Sequence, residues 1–151
     1  VAAATLAAAL ISQYGFGMQP CELCVWQRWP YLPGLLAGGA ALLFWDAKAS
    51  TALLWVAALS FVAGSGLAVF HSGVEFGIWK GLETCSAPAP GSLSPADFLK
   101  QLEAAPLVRC SDRVPFLAGL TMANWNALIT AGVALCFAAG AVLSGRERQA
   151  L

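Results

Sequence analysis

The residues best suited to chemistry are four of the five cysteines. Cys21 and Cys24 form a C-x-x-C motif, whereas Cys85 and Cys110 lie far apart further along the chain. Two pairs of cysteines suit structural disulfides, a four-thiolate zinc site or thiol–disulfide redox chemistry. The C-x-x-C spacing is expected of redox chemistry, because one thiol can resolve a disulfide that its neighbour has formed.

The two other interpretations fit the same cysteines less well. Zinc sites of four cysteines commonly use two C-x-x-C pairs, and the wide second pair departs from that pattern, so we expect no metal. A structural Cys85–Cys110 disulfide would stabilise the fold by roughly 3–4 kcal/mol, but a Cys21–Cys24 disulfide closes a short ring worth only about 2 kcal/mol. A membrane structural or assembly protein with permanent disulfides is the alternative function.

Two features near Cys24 favour its thiolate, which is the reactive form. Cys24 is expected to open the second helix, where free amides and the helix dipole favour an anion. Arg28 follows at i+4 on the same helix face, while Glu22 acts in the opposite direction. The alternative role for Arg28 is to reach the lipid headgroups.

The chain as a whole is unusually apolar. Hydrophobic residues make up 59% of it and charged residues 11%, against roughly 45–50% and about 25% in ordinary soluble domains. A chain of this length cannot bury so much apolar surface in one water-facing core. The composition excludes a disordered chain and a soluble enzyme core, and the zero net charge argues against nucleic-acid binding. It predicts an integral membrane protein surrounded by lipid.

Four stretches carry no charged residue: 1–21, 29–45, 49–74 and 114–145. In lipid, each apolar stretch must satisfy its backbone hydrogen bonds internally, which predicts helices. We expect one all-α membrane domain over 1–151, a four-helix bundle with helices at about 1–17, 30–46, 50–70 and 123–144. The first stretch lacks an initial methionine and basic residues, so we expect the natural chain to begin earlier, and we interpret this stretch as a span rather than a signal peptide.

Small residues predict how the helices pack, and basic residues predict how the protein is oriented in the membrane. Gly34 and Gly38 form a GxxxG motif, and Gly64, Gly66 and Ala68 form a second small face, which is typical of closely packed membrane helices. Both termini and the 46–50 turn share one side with Lys48, Arg146 and Arg148. The positive-inside rule assigns this side to the cytoplasm. The cysteine pairs then lie in loops at about 18–29 and 71–122 on the opposite side, where an oxidising compartment would let disulfides persist.

The remaining motifs have plainer interpretations. Cys136 lies within the last apolar stretch, where a thiol behaves as a small hydrophobic side chain. Glu75, Trp79 and Lys80 follow the third predicted span and are expected to anchor it at the membrane interface. In the long loop, Ser94-Pro95-Ala96-Asp97 predicts the start of a short helix.

Motifs along nearly the whole chain match a known pattern. In the first loop they are Gln13-Tyr14, Pro20-Cys21-Glu22-Leu23-Cys24 and Gln27-Arg28. The later ones are His71, Gly73-Val74-Glu75, Gly77, Trp79, Cys85, Cys110-Ser111-Asp112, Phe116-Leu117, Gly119-Leu120 and Met122-Ala123-Asn124-Trp125-Asn126. In this combination the chain resembles the bacterial disulfide bond formation protein B (DsbB) family.

The resemblance implies a four-helix inner-membrane enzyme, a quinone-dependent protein thiol–disulfide oxidoreductase. Such an enzyme reoxidises a soluble thioredoxin-like dithiol oxidase, DsbA, and passes the electrons to ubiquinone or menaquinone. By position, the partner's thiolate would attack Cys85, and Cys110 would then exchange with Cys21. Cys24 would meet the quinone, with Arg28 and His71 close to it. The alternative for His71 is to cap its helix.

Overall fold

The structure, a computed structural model, describes residues 1–45, 49–81, 110–111, 113 and 115–149. Its helices are α1 (Ala2–Gly15), α2 (Glu22–Trp26), α3 (Tyr31–Leu43), α4 (Ala49–Glu75) and α5 (Met122–Gln149). A small antiparallel hairpin of β1 (Pro115–Leu117) and β2 (Leu120–Thr121) immediately precedes α5. The expected all-α membrane bundle is confirmed, and α4 packs most extensively against α5 and α3.

Two of the helices, α4 and α5, are long and apolar enough to cross a membrane by themselves. The segments Ala49–Glu75 and Met122–Arg146 both have a mean hydropathy of 2.1. Helices α1 and α3 have 14 and 13 residues, which corresponds to about 20 Å at 1.5 Å per residue. Helix α4 continues to Glu75, past its expected end near residue 70, and therefore includes His71.

The second expected span, at about 30–46, corresponds to α3, and a turn that contains Pro30 separates it from the short α2. Proline has no backbone N–H and disfavours helical geometry at the residue before it. Through this turn the backbone bonds have the tighter three-residue spacing, from Arg28 N to Val25 O (3.0 Å) and from Tyr31 N to Arg28 O (3.1 Å). The expectation that Cys24 opens the second span is therefore corrected, because the C-x-x-C motif begins a short helix of its own.

Glycine lets α3 approach its neighbours closely, as the GxxxG motif predicts. A Cβ added to Gly34 would lie 2.7 Å from Phe61 Cε2, and one added to Gly38 would lie 2.6 Å from Phe137 Cζ. Phe61 is fully buried, and its ring stacks on that of Phe137 with centroids 5.8 Å apart. The second small face holds only in part: Gly64 approaches Pro30, but nothing lies within 4 Å of a Cβ placed on Gly66.

The surface of the bundle is apolar, and polar contacts among the described residues join α4 to α5. Ser65 donates a hydrogen bond to the backbone oxygen of Ala127 (3.2 Å), and the hydroxyls of Thr51 and Ser144 are 3.1 Å apart. Cys136 is a free, exposed cysteine on α5, beside the exposed side chain of Leu135. Such a surface suits lipid. Cys85 and the helix start predicted at Ser94-Pro95-Ala96-Asp97 lie outside the described residues.

We predict that Gly34→Ala destabilises the bundle by roughly 1–3 kcal/mol, because the new methyl group must displace the buried ring of Phe61. The measurement is the unfolding free energy of the detergent-solubilised protein, followed by circular dichroism during denaturant titration. Gly66→Ala is the matched control, since it makes the same substitution within a helix where space is open. Equal stabilities for the two variants would contradict the close approach at Gly34.

Candidate functional site

The C-x-x-C motif is fixed at the beginning of α2. Cys21 is the N-cap residue, with an extended backbone, and its sulfur accepts a hydrogen bond from the backbone N–H of Cys24 (3.2 Å). The two cysteines are joined by a disulfide. Because free amides lie at a helix N-terminus, negative charge that develops on these sulfurs is stabilised there.

A third cysteine lies against this disulfide. Cys21, Leu23, Val74 and Cys110 form one buried group, which we call the cysteine cluster, and each is at most 5% exposed. The partly buried Cys24 and Phe70 pack against the cluster. Cys110 is itself disulfide-bonded, while Cys85 lies outside the described residues. The structure therefore brings together three of the four cysteines singled out by the sequence.

His71 projects from α4 into the same place. Its side chain is 4% exposed, and its Nε2 lies 3.7 Å from the sulfur of Cys21. The ring also hydrogen-bonds with the backbone of Cys110. The histidine thus contacts both cysteines that the family resemblance pairs for exchange.

The other ring nitrogen of His71 belongs to a chain of side-chain hydrogen bonds that crosses the bundle. Gln27 Nε2 lies 2.7 Å from His71 Nδ1, and Asn126 Nδ2 donates to Gln27 Oε1 (2.6 Å). Tyr31 in turn donates its hydroxyl to Asn126 Oδ1 (2.5 Å). Among the described residues, every buried side-chain nitrogen and oxygen has a hydrogen-bond partner.

Gln27 and Asn126 had no role predicted from the sequence, although both belong to motifs that match the family. The available signal was their polarity beside long apolar stretches. A buried amide in an apolar bundle needs partners on both its oxygen and its nitrogen. A sequence does not show which residues those partners are.

Glu75 also faces this site, which corrects its expected role as an interfacial anchor. Its side chain is 6% exposed, with Oε1 3.9 Å from His71 Nε2. Thr121 donates its hydroxyl to Glu75 Oε2 (2.6 Å) and accepts a hydrogen bond from Asn124 N at the start of α5 (3.3 Å). Glu75 therefore ties the end of α4 to the hairpin, whereas an anchoring side chain would face the headgroups.

Trp79 folds back over the end of α4 and packs on Phe70, which itself packs against the cysteine cluster. Its indole Nε1 donates to the backbone oxygen of Phe70 (2.7 Å), and its ring stacks on that of Phe70 with centroids 5.8 Å apart. Gly73 leaves room for this ring, and Gly77, with φ +70°, allows the chain to reverse. The side chain of Trp79 is still 42% exposed, so its expected interfacial position and this packing are compatible.

Arg28 lies in the turn that follows α2, and its side chain is held by α1. Its Nη1 donates to Gln13 Oε1 in the last turn of α1. Arg28 also lines a cleft of about 240 Å³ together with three apolar residues, Val25, Trp29 and Leu32. A permanent positive charge beside an apolar cleft suits a flat apolar molecule that carries electron-rich oxygens.

The site offers metal-binding atom types but in a state unsuited to a metal. Donor atoms of Cys21, Cys24 and His71 all lie within 4.8 Å of one another. Zinc is bound by thiolates, and in this structure the two sulfurs are joined to each other. The arrangement favours disulfide exchange.

A C-x-x-C disulfide packed against a further cysteine, at the end of an apolar helical bundle, defines a membrane protein of the thiol–disulfide class. The chain belongs to the DsbB family, since the family model described as "Disulfide bond formation protein DsbB" matches residues 1–140. Membership implies thiol–disulfide oxidoreductase activity and confirms the resemblance found in the sequence.

One relative with a similar sequence is an uncharacterized protein. The chain is 29% identical over 126 residues to an uncharacterized protein, RP370, of Rickettsia prowazekii (strain Madrid E). The alignment covers 82% of this chain and 72% of the relative. No solved structure matches the chain significantly.

We predict that Thr121→Val destabilises the protein by about 1–3 kcal/mol, because it removes the α5 cap and one hydrogen bond to the buried Glu75 carboxylate. Thr121→Ser, which keeps the hydroxyl, should retain most of the stability. The unfolding free energy of both variants is measured in the same detergent. If valine and serine were equally tolerated, the bond between Thr121 and Glu75 would contribute nothing to the fold.

Proposed function

We propose that this protein is a quinone-dependent thiol oxidase, which reoxidises a soluble DsbA-like dithiol oxidase and transfers the electrons to a membrane quinone. The observation that carries the proposal is the cysteine cluster, in which the Cys21–Cys24 disulfide and the disulfide-bonded Cys110 are buried together. Sulfur atoms packed in this way need only short movements to exchange partners.

The exchange steps conserve electrons and move one disulfide at a time. The partner's thiolate attacks Cys85 and forms a mixed disulfide, which releases Cys110 as a thiolate. Cys110 then attacks Cys21, so that a Cys21–Cys110 bond forms and the Cys21–Cys24 bond breaks. Cys24 leaves as a thiolate at the start of α2, where the helix dipole favours negative charge. Meanwhile the partner's second thiol resolves the mixed disulfide, and two electrons have entered this chain.

The residues around Arg28 fit a quinone. The cleft walls of Val25, Trp29 and Leu32 are apolar, and Arg28 supplies a positive charge for a ring oxygen. A bound quinone would supply an acceptor for two electrons. Gln13 holds the guanidinium in place, and a fixed charge in a poorly hydrated site stabilises developing negative charge better than one in water.

The proposed activity requires a defined orientation in the membrane. We place the protein in the bacterial inner membrane, with both termini and the 46–50 turn in the cytoplasm. The loops at about 18–29 and 71–122 then face the periplasm, where a soluble dithiol partner can reach Cys85. The apolar surface of α4 and α5 suits lipid, and the positive-inside rule supports the orientation.

We predict that Cys24→Ser abolishes quinone reduction, because the sulfur that delivers the electrons is missing. The measurement is anaerobic quinone reduction by the purified protein, followed by ultraviolet absorbance, with a reduced DsbA-like oxidase as donor. The variant should still form a mixed disulfide with the donor through Cys85, which non-reducing electrophoresis detects. Cys136→Ala, which removes the exposed cysteine of α5, is the matched control and should keep full turnover.

Either of two results would contradict this assignment. Normal turnover in Cys24→Ser would remove Cys24 from the electron path. Absence of turnover in the wild type, with donor and quinone both varied, would favour the alternative of a membrane structural or assembly protein with permanent disulfides.

We predict that Arg28→Ala raises the apparent KM for quinone about tenfold, which corresponds to the loss of one hydrogen bond to a charged group. The rate of mixed-disulfide formation with the partner should be unchanged, because Arg28 lies on the quinone side of the proposed path. Steady-state quinone titration measures the first quantity and quenched electrophoresis the second. An unchanged KM would assign Arg28 to headgroup anchoring.

A further inference from the structure

We propose that Gln27 is a positioning residue that fixes the protonation pattern of His71, so that the Nε2–H of the ring faces the sulfur of Cys21. The purpose of this positioning rests on the proposed function, whereas the hydrogen-bond pattern itself does not depend on it. It gives a role to a buried side chain that the exchange steps do not use.

The two edges of the His71 ring face groups of opposite hydrogen-bonding type. The Nδ1 edge meets the Nε2 amide of Gln27 at 2.7 Å, and an amide nitrogen only donates. The Nε2 edge meets the Cys21 sulfur at 3.7 Å and the Glu75 carboxylate at 3.9 Å, which are both acceptors. The ring also has a hydrogen bond with the backbone of Cys110, so an N–H of the ring has more than one acceptor beside it. A neutral imidazole satisfies this arrangement only with its hydrogen on Nε2.

The orientation of the Gln27 amide is in turn set by two further residues of the hydrogen-bond network. Asn126 donates to Gln27 Oε1, and Tyr31 donates to Asn126 Oδ1. Each amide thus has its oxygen occupied by the preceding donor and its nitrogen directed toward the next acceptor. Gln27 is 6% exposed, so no bulk solvent competes for these groups. All hydrogen bonds of this series therefore run in the same direction, and they leave the ring hydrogen of His71 on Nε2.

This N–H acts on Cys21 when the disulfide is open. A dithiol reductant becomes a disulfide itself, the Cys21–Cys24 bond breaks, and the two protons of the dithiol go to the new sulfur groups or to solvent. A Cys21 that has given up its proton accepts a much stronger hydrogen bond than a disulfide sulfur does. His71 therefore stabilises the reduced pair relative to the disulfide, and Gln27 keeps the ring ready to do so.

The first test reads the ring directly. His71 is the only histidine in the chain, so protein labelled with ¹⁵N-histidine gives one pair of ring nitrogen signals by NMR in detergent. We expect Nδ1 to be unprotonated and Nε2 protonated in the wild type. Gln27→Glu should place a proton on Nδ1, because an oxygen then faces it, and Gln27→Met should allow the second tautomer to appear. A protonated Nδ1 in the wild type would overturn the proposal even if every variant failed to fold.

The second test measures the consequence for the cysteine pair. The Cys21–Cys24 disulfide is equilibrated with dithiothreitol buffers, trapped by alkylation and quantified by mass spectrometry of the peptide that carries both cysteines. In Gln27→Met, the equilibrium constant for reduction should fall about tenfold, equivalent to about 30 mV for two electrons. Ser65→Ala, which removes one hydrogen bond between α4 and α5 away from the site, is the control and should leave the constant unchanged.

The outcomes separate this inference from the proposed function. Neither readout uses quinone or a partner protein, so both can succeed in a chain that shows no turnover. A merely structural Gln27 would leave the ring protonation and the equilibrium constant as in the wild type while lowering stability, and that result would overturn the proposal. Normal turnover combined with an unchanged equilibrium constant in Gln27→Met would overturn it and leave the proposed function intact.

Discussion

The imidazole of His71 joins parts of the molecule that otherwise meet through apolar packing. It contacts the Cys21 sulfur, the Gln27 amide and the backbone of Cys110, and it lies close to Glu75. In an apolar surrounding, a polar group without a partner costs several kcal/mol. Any rearrangement of α2, α4 or the segment at Cys110 would leave at least one of these groups unpaired. The position of the cysteine pair is therefore constrained by polar contacts more than by α2, which is only one turn and a half long.

The polar network depends on close packing of the helices, and Tyr31 shows the connection. Its ring packs edge-on against Phe61, with centroids 5.5 Å apart, while its hydroxyl donates to Asn126. Gly34 allows α3 to approach Phe61 closely enough for both contacts. A larger residue at this position would move Tyr31 and withdraw the first donor of the chain that ends at His71. The glycine motif of the apolar core thus contributes to the chemistry of the site.

The sequence predicted those parts of the structure that composition and spacing determine. Charge-free stretches predicted the helical bundle, and GxxxG predicted the close approach at Gly34 and Gly38. The C-x-x-C spacing predicted thiol–disulfide chemistry but not which cysteines are joined. The sequence did not predict the break at Pro30 or the buried side of Glu75. Hydropathy treats a polar residue next to a span as an interfacial one, whereas Glu75 is buried because Thr121 and His71 are there to pair with it. The pairing with Thr121 is a property of the tertiary structure, whereas His71 lies one helical turn before Glu75 on the same helix.

The burial of Cys21 bears on the order of exchange in the proposed path. With 3% of its surface exposed, Cys21 is closed to a bulky thiol from solution, while Cys110 lies in the same cluster. A sulfur carried by the chain's own loop can reach it without any opening of the bundle, and a soluble dithiol has to act through that loop. In the proposed path, burial of Cys21 therefore separates the exchange with the soluble partner from the reaction at Cys24, which is only partly buried at the edge of the cluster. Two disulfides suit this path, because one site would not serve both a soluble protein and an acceptor dissolved in the membrane.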